Sequence, residues 1–383
     1  MTFALSEEQQ MLKDSVDRFV AQDYGFDVRR ALAESDLGYS ADNWRTFADL
    51  GWLSVPFAEE NGGFGGSLRD VATMTEALGR GLVTEPFVPC LVLGGRLVEM
   101  LGSAEQRQAI LSPVIAGETQ LALAHTERRA AGNPACVGCT VQADGDGFRI
   151  SGEKHLVLNG PSADLLLVSA RSGGAERDRQ GVDLFVVDGH ADGIHRRDYP
   201  TIDGLRAADI TFDTVRVEGA ARLGEAGSAI DAIEAVIDEA IIACCAEAVG
   251  VMEVLVRDTV EYARTRKQFG TPIGKFQALQ HRMVDMFVAQ EQSRALLLQV
   301  IGEFQAGGTE ARKAASAIKV HVSRSARLIG EQAIQIHGGM GTTDELHIGH
   351  YVKRLLALEV LFGDTDYHLD RYAALIDSAG QDT

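Results

Sequence analysis

Glu247 is the sole charged residue in the run Ile241-Ile-Ala-Cys-Cys-Ala-Glu-Ala-Val-Gly-Val-Met252. An apolar helix strips water from a carboxylate and makes its charged form costly. Such a group is expected to be paired or used. If used, it is a general base with raised proton affinity; if paired, it meets an arginine such as Arg264 or Arg282. Downstream, Tyr262-Ala-Arg-Thr-Arg-Lys-Gln-Phe-Gly270 sets Arg264, Arg266 and Lys267 before a Gly-ended turn, and Ile273-Gly-Lys-Phe-Gln277 follows. A cationic turn between two helices suits an anion such as a pyrophosphate. Cys136-Val-Gly-Cys139 has metal or redox spacing, but no second cysteine pair accompanies it, and the plain reading is two ordinary thiols. Cys244 and Cys245 read as core. No Cys/His/carboxylate cluster has metal-ligand spacing, so no metal is expected.

The elements that must position these groups follow from composition and periodicity. A chain of 383 residues is long enough for two or three units sharing a substantial core. Its net charge of −19 argues against a nucleic-acid or anionic-membrane partner, because both need a basic face. Five cysteines, an odd count without an export signal, fit a reducing cytoplasm. No uncharged stretch is long enough for a membrane span. Ser6-Glu-Glu-Gln9 reads as a capping box, and helical spacing recurs over 41–50, 67–78, 91–101 and 104–115. Asn61-Gly-Gly-Phe-Gly-Gly66 interrupts this region and reads as a flexible connection between helices, not a phosphate loop. From 121 to 212 short β-like runs follow one another without helices, with Asp144-Gly-Asp-Gly147 as a hairpin turn. They predict a small antiparallel barrel or sandwich. Helical periodicity returns over 228–265, 276–306, 309–337 and 343–379, which predicts a four-helix bundle, with Phe276, Met283 and Met286 in its core. The division is therefore 1–117 helical, 118–222 β and 223–383 helical, an α+β chain. Ser378 to Thr383 are expected to fray.

The motifs Tyr262–Gln277 and Ala333-Ile-Gln-Ile-His-Gly-Gly-Met-Gly341 make the chain resemble the acyl-CoA dehydrogenase family of flavoproteins over essentially its full length. Cys245–Gly250 and the stretches Gly349–Arg354 and Leu361–Asp366 look most like a bacterial branch. That branch includes small subunits for pimeloyl-CoA and steroid side-chain degradation, often heteromeric. The resemblance implies FAD-dependent α,β-dehydrogenation of an acyl-CoA to the trans-2-enoyl-CoA, with the β-hydride passing to flavin N5. It implies that Arg266, Gln268 and Phe269 grip the FAD of a neighbouring subunit, with Ile273 and Gln277 as later contacts on that segment. Gln335 and Gly339 match a backbone approach to the cofactor, and His125 and Thr126 match contacts to the flavin edge. Leu156 and Leu158 match the strand behind the flavin, where the family commonly has Trp and a hydroxyl. The usual loop after Thr126-Glu127 is replaced by Arg128-Arg-Ala-Ala-Gly-Asn-Pro134.

Many relatives carry the base in a Glu-Gly-Thr loop; here the matching residue is Phe362 (or Gly363). In others it sits at a position matching Ala240. Glu247, two turns further along the same helix, is the expected base, with Asp364 second. The partners implied are an acyl-CoA, an electron-transfer flavoprotein, and other copies or a paralogous subunit in a dimer of dimers. Two rivals are an oxygen-using enzyme of oxidase type and a subunit that completes a partner's site and is inactive alone.

Overall fold

The computed structural model describes residues 5–130 and 132–379. The expected fraying of the C-terminal residues falls, beyond Ala379, outside them. The helices preceding the sheet are α1 (Glu7–Asp23), α2 (Phe26–Glu34), α3 (Ala41–Asp49), α4 (Leu68–Arg80), α5 (Arg96–Leu101) and α6 (Ala104–Ile115). Ser6 caps α1 through a reciprocal bond with Gln9, as the capping box predicts. Eight strands follow: β1 (Leu121–Ala124), β2 (Thr140–Asp144), β3 (Gly147–Leu158), β4 (Leu165–Arg171), β5 (Val182–Asp188), β6 (Ile194–Pro200), β7 (Arg206–Glu218) and β8 (Arg222–Leu223). Then come α7 (Ile230–Thr265), the short strands β9 (Lys267–Gln268) and β10 (Thr271–Pro272), α8 (Gln277–Phe304), α9 (Gly308–His337), α10 (His347–Val360) and α11 (Thr365–Ala379).

By packing, these elements form two compact units, and the boundary falls within α7 between Ala240 and Ile241. One unit joins residues 32–67 to 84–240. Its sheet runs β6-β7-β3-β2-β4-β5-β8, with β1 added beside β4. The sheet is mixed rather than purely antiparallel as expected: β1 is parallel to β4, and β2 meets β4 in parallel at Thr140 and Arg171. Alternating residues of β3, β4, β5 and β7, among them Ile150, Leu166, Val168, Phe185, Ile210 and Phe212, bury one face as its core. The edge strand β6, Ile-His-Arg-Arg-Asp-Tyr-Pro, escaped sequence reading because it has no apolar alternation. Before the sheet, Phe47 packs against Trp44 and Trp52 with ring centroids 6.3 and 4.7 Å away. Within the turn at 62–66, Gly63 and Gly66 approach other backbone closely, while Gly62, Phe64 and Gly65 are exposed. A Cβ on Gly63 would stand 2.1 Å from the Phe57 carbonyl oxygen, and Glu99 accepts hydrogen bonds from Ala58 N and Asn61 Nδ2.

The other unit joins 1–31 and 68–83 to 241–383. Every residue from Ile241 to Met252 is buried, as expected for a helix apolar on all sides. The final segment is two helices, not one. Phe362 (φ +62°) and Gly363 (φ +106°) leave right-handed geometry and end the run. Lys319, buried in α9, donates to the carbonyls of Leu358 and Leu361, and His368 donates to that of Phe362. Those carbonyls at the end of α10 and in the turn beyond it are thereby satisfied.

Candidate active site

Glu247 is buried on α7, and its partner is Arg354 of α10. Nε donates to Oε1 at 2.5 Å and Nη2 to Oε2 at 2.7 Å, a two-pronged ion pair. The partner suggested by sequence proximity was wrong: Arg264 sits 3.7 Å from Glu261, and Arg282 bonds Gln332. Arg354 was missed because nothing local links positions 107 residues apart. A carboxylate held this way keeps further lone pairs for a proton, but accepting one would cancel the charge that pairs with the largely covered Arg354 guanidinium. Asp364 is exposed and caps α11, accepting from Tyr367 N at 2.9 Å.

The cationic turn is a two-strand hairpin in which β10 pairs with β9 and Ile273 N donates to Arg266 O at 2.8 Å. Arg266, Gln268, Phe269 and Gln277 are exposed, while Ile273 is buried and anchors the base. Phe269 is 93% exposed with φ +54°, and its ring meets Phe276 edge-on at 6.2 Å. Phe276 is therefore an exposed residue, not the core position its spacing suggested. The ring of Tyr262, just before the hairpin, stacks on His337 at 4.3 Å. That stack brings the hairpin's root together with Gln335 and Gly339 at the end of α9. Gln335 and Gly339 are exposed, and a Cβ on Gly338 or Gly339 would meet nothing within 4 Å.

In the sheet-containing unit, His125 and Thr126 continue β1. The His125 ring is buried and points inward, with Nδ1 2.9 Å from Ser169 Oγ. Burial, together with the nearby Lys154 cation, pushes its pKa down to about 3, so it is neutral at physiological pH. Lys154 Nζ is wholly buried and donates to Glu127 Oε1 (2.7 Å), Ser169 Oγ (3.0 Å) and His125 O (3.3 Å). Glu127 in turn accepts from Gly138 N and Cys139 N, which fixes the Cys136–Cys139 loop. Among the described residues no three His, Cys, Asp or Glu side chains are grouped to hold a metal ion. Thr126 is exposed and its carbonyl accepts from His155 N at 2.8 Å. The β3–β7 register slips between Lys154 and Val157, and Leu156 there has φ +51°. Leu156 and Leu158 are half-buried on either side of buried Val157.

These residues fit the FAD that the resemblance implies. Arg266 and Gln268 present a guanidinium and an amide on an exposed arm, and Gly338-Gly339 leaves backbone open to close approach. In the sheet-containing unit, Thr126 is exposed and Leu156 is half-buried at the β3 register slip. The Lys154–Glu127 pair was missed in sequence. An isolated lysine in a strand gives no sign that its neighbours will enclose it.

Three family profiles match in order: the acyl-CoA dehydrogenase N-terminal domain over residues 6–118, middle domain over 122–215 and C-terminal domain over 204–376. The chain is 27% identical over 371 residues to "Probable acyl-CoA dehydrogenase YngJ" of Bacillus subtilis (strain 168), covering 96% of this chain and 97% of that one. A steroid ACAD, Tcur3481-Tcur3483, superposes with TM-score 0.88 at 29% identity, over 98% of this chain and 99% of that one. PigA with FAD and proline superposes with TM-score 0.91 at 25% identity, over the same shares. The chain belongs to the acyl-CoA dehydrogenase family, the FAD-dependent oxidoreductases that act on the CH–CH bond of acyl thioesters.

Proposed function

We propose that this chain takes part in α,β-dehydrogenation of an acyl-CoA thioester to its trans-2-enoyl product, as one subunit of an oligomer in which its Arg266–Phe269 arm holds a neighbour's cofactor. The observation that carries this reading is the arm: an aromatic ring 93% exposed, in strained backbone, flanked by Arg266 and Gln268. Exposed Phe276 lies edge-on to Phe269, so the cationic arm carries an apolar patch rather than an isolated surface ring. Bound FAD supplies the hydride acceptor. Arg266, Gln268, Phe269, Ile273 and Gln277 would hold it from one side, Gln335 and Gly339 through the chain near the end of α9. His125, Thr126, Leu156 and Leu158 are the residues of the β unit we assign to the flavin end of this chain's own FAD, whose other end a neighbour's arm would grip. A cytoplasmic location and an electron-transfer flavoprotein as acceptor belong to the same proposal. The acyl group is a fatty or steroid side chain, the latter supported by the likeness to a steroid ACAD.

The proton acceptor divides two readings. If Glu247 is the base, it takes the proton while facing the largely covered Arg354 guanidinium. The paired carboxylate of Glu247 and the capping role of Asp364 favour the other reading, in which this chain supplies the arm and a partner subunit supplies the base. Flavin per chain and anaerobic bleaching by an acyl-CoA test both, on the chain alone and with an adjacent paralogue. Loss of turnover in Glu247→Gln, with flavin and the thermal midpoint retained, supports Glu247 as base. Retained turnover, or bleaching only with the paralogue present, supports the half-site. A chain that binds no flavin in either setting overturns the proposal. Oxygen uptake during turnover would mark an oxidase instead.

A further inference from the structure

Asp209 on β7 gathers an unusual set of donors. Its Oδ1 accepts from His155 Nδ1 (2.5 Å), Tyr199 OH (2.9 Å) and Leu156 N (3.3 Å). Its Oδ2 is shared by two guanidiniums, Arg197 Nη2 at 2.5 Å and Arg128 Nη2 at 2.8 Å. The register builds this cluster. Asp209 lies directly across β6–β7 from Arg197, Tyr199 lies two places along the same face, and the β3 slip turns His155 and Leu156 to the carboxylate. Asp209 is largely covered, but the Arg128 and Arg197 side chains are 62% and 70% exposed.

Two guanidiniums fixed on one carboxylate leave an excess of positive charge at a defined point, on a chain whose net charge is −19. Each arginine keeps most of its five N–H groups beyond the one given to Asp209, and the paired planes suit the several oxygens of a phosphate. Arg128 follows Thr126 by two residues and His155 adjoins Leu156, so the cluster flanks residues assigned above to the flavin. A thioester substrate reaching that place arrives on a pantetheine arm, whose far end carries a phosphate in both CoA and acyl carrier proteins.

We propose that Arg128 and Arg197, oriented by Asp209 and flanked by His155, form an anion site for the phosphate of the substrate's phosphopantetheine arm. This rests on the thioester reading above. The test compares acyl-CoA with acyl-pantetheine, which lacks phosphate, using the flavin-loaded oligomer. In Arg128→Ala/Arg197→Ala the ratio of kcat/KM for acyl-CoA to that for acyl-pantetheine falls about tenfold or more. Arg197→Lys alone keeps part of the ratio, and the wild-type KM for acyl-CoA rises with salt more steeply than the variant's. A ratio within about twofold of wild type overturns the site, because general misfolding lowers both substrates together. A parallel measurement with an acyl carrier protein separates the sources: loss for both carriers assigns the shared phosphate, and loss for one alone assigns that carrier. Calorimetric titration with CoA needs no turnover. CoA binding weakened in the variant while no thioester is oxidised by wild type would sink the proposed function and leave the anion site standing.

Discussion

Lys154 and Glu127 show what one buried pair can decide. The ammonium has no access to water, and its partner is mostly covered. Removing one member of such a pair leaves an uncompensated charge and costs about 3–5 kcal/mol, whereas replacing both with apolar or neutral groups of similar size is close to neutral. Lys154→Met is therefore expected to lose about 3–5 kcal/mol of unfolding free energy in denaturant titrations. The double variant Lys154→Met/Glu127→Gln should recover most of it, although Glu127 also anchors Gly138 and Cys139. Losses that simply add would show that the pair is not coupled. The same logic governs Glu247 and Arg354. Sequence alone marked Glu247 as a carboxylate in need of a partner or a task; only the packing of α10 against α7 supplied the partner.

At the scale of elements, the crossing of α4 and α7 rests on two missing side chains. A Cβ on Gly250 would lie 2.0 Å from the Glu76 carbonyl oxygen, and one on Gly79 would lie 2.3 Å from that of Glu247. Both obstacles are backbone, which cannot swing aside as a flexible side chain can. Gly250→Ala must push the helices apart, and overpacking of this kind costs about 1–3 kcal/mol. The expected result is a lower thermal midpoint, with the same loss in Gly79→Ala. A midpoint equal to or above wild type, as helix propensity alone would give for Gly→Ala, would show that the crossing yields easily. The helices themselves were legible from their 3.6-residue period. Their closest approach was not, since a glycine inside a helix pattern looks alike whether or not another backbone passes over it.

For the whole molecule, buried neutral histidines set the acid limit. Burial first, then the cationic Lys319, pushes the His368 pKa down to about 4, and His125 is held at about 3. Both lie below the ordinary histidine value of about 6.5 expected in the unfolded chain. The unfolded state therefore binds protons first as pH falls. The full stability contribution is present above about pH 6.5 and is lost as pH drops toward 4 and 3, at up to about 1.4 kcal/mol per pH unit for each histidine. Denaturant titration at pH 7 and pH 5 should show this loss, and His368→Gln should flatten the slope between them. An unchanged slope would mean that His368 is already protonated in the folded protein. Protonation leaves the Nε2–H bond to the Phe362 carbonyl in place, so the acid penalty comes from burying the new charge beside Lys319.

Periodicity, turn glycines and two sequence motifs were enough to read a helix over 228–265, the hairpin turn at Asp144–Gly147 and a family likeness. These features are local: each depends on residues within a turn or a strand of one another. The tertiary structure alone decided that β1 and β2 lie parallel to β4, that β6 is a strand at all, and that the last helix breaks at Phe362. It alone set Arg354 on Glu247, Lys154 on Glu127, and Arg128 with Arg197 on Asp209. Each of these joins residues far apart in the chain through charges or hydrogen bonds. Their energy depends on distance and on exclusion of water, and neither quantity exists until the chain has folded.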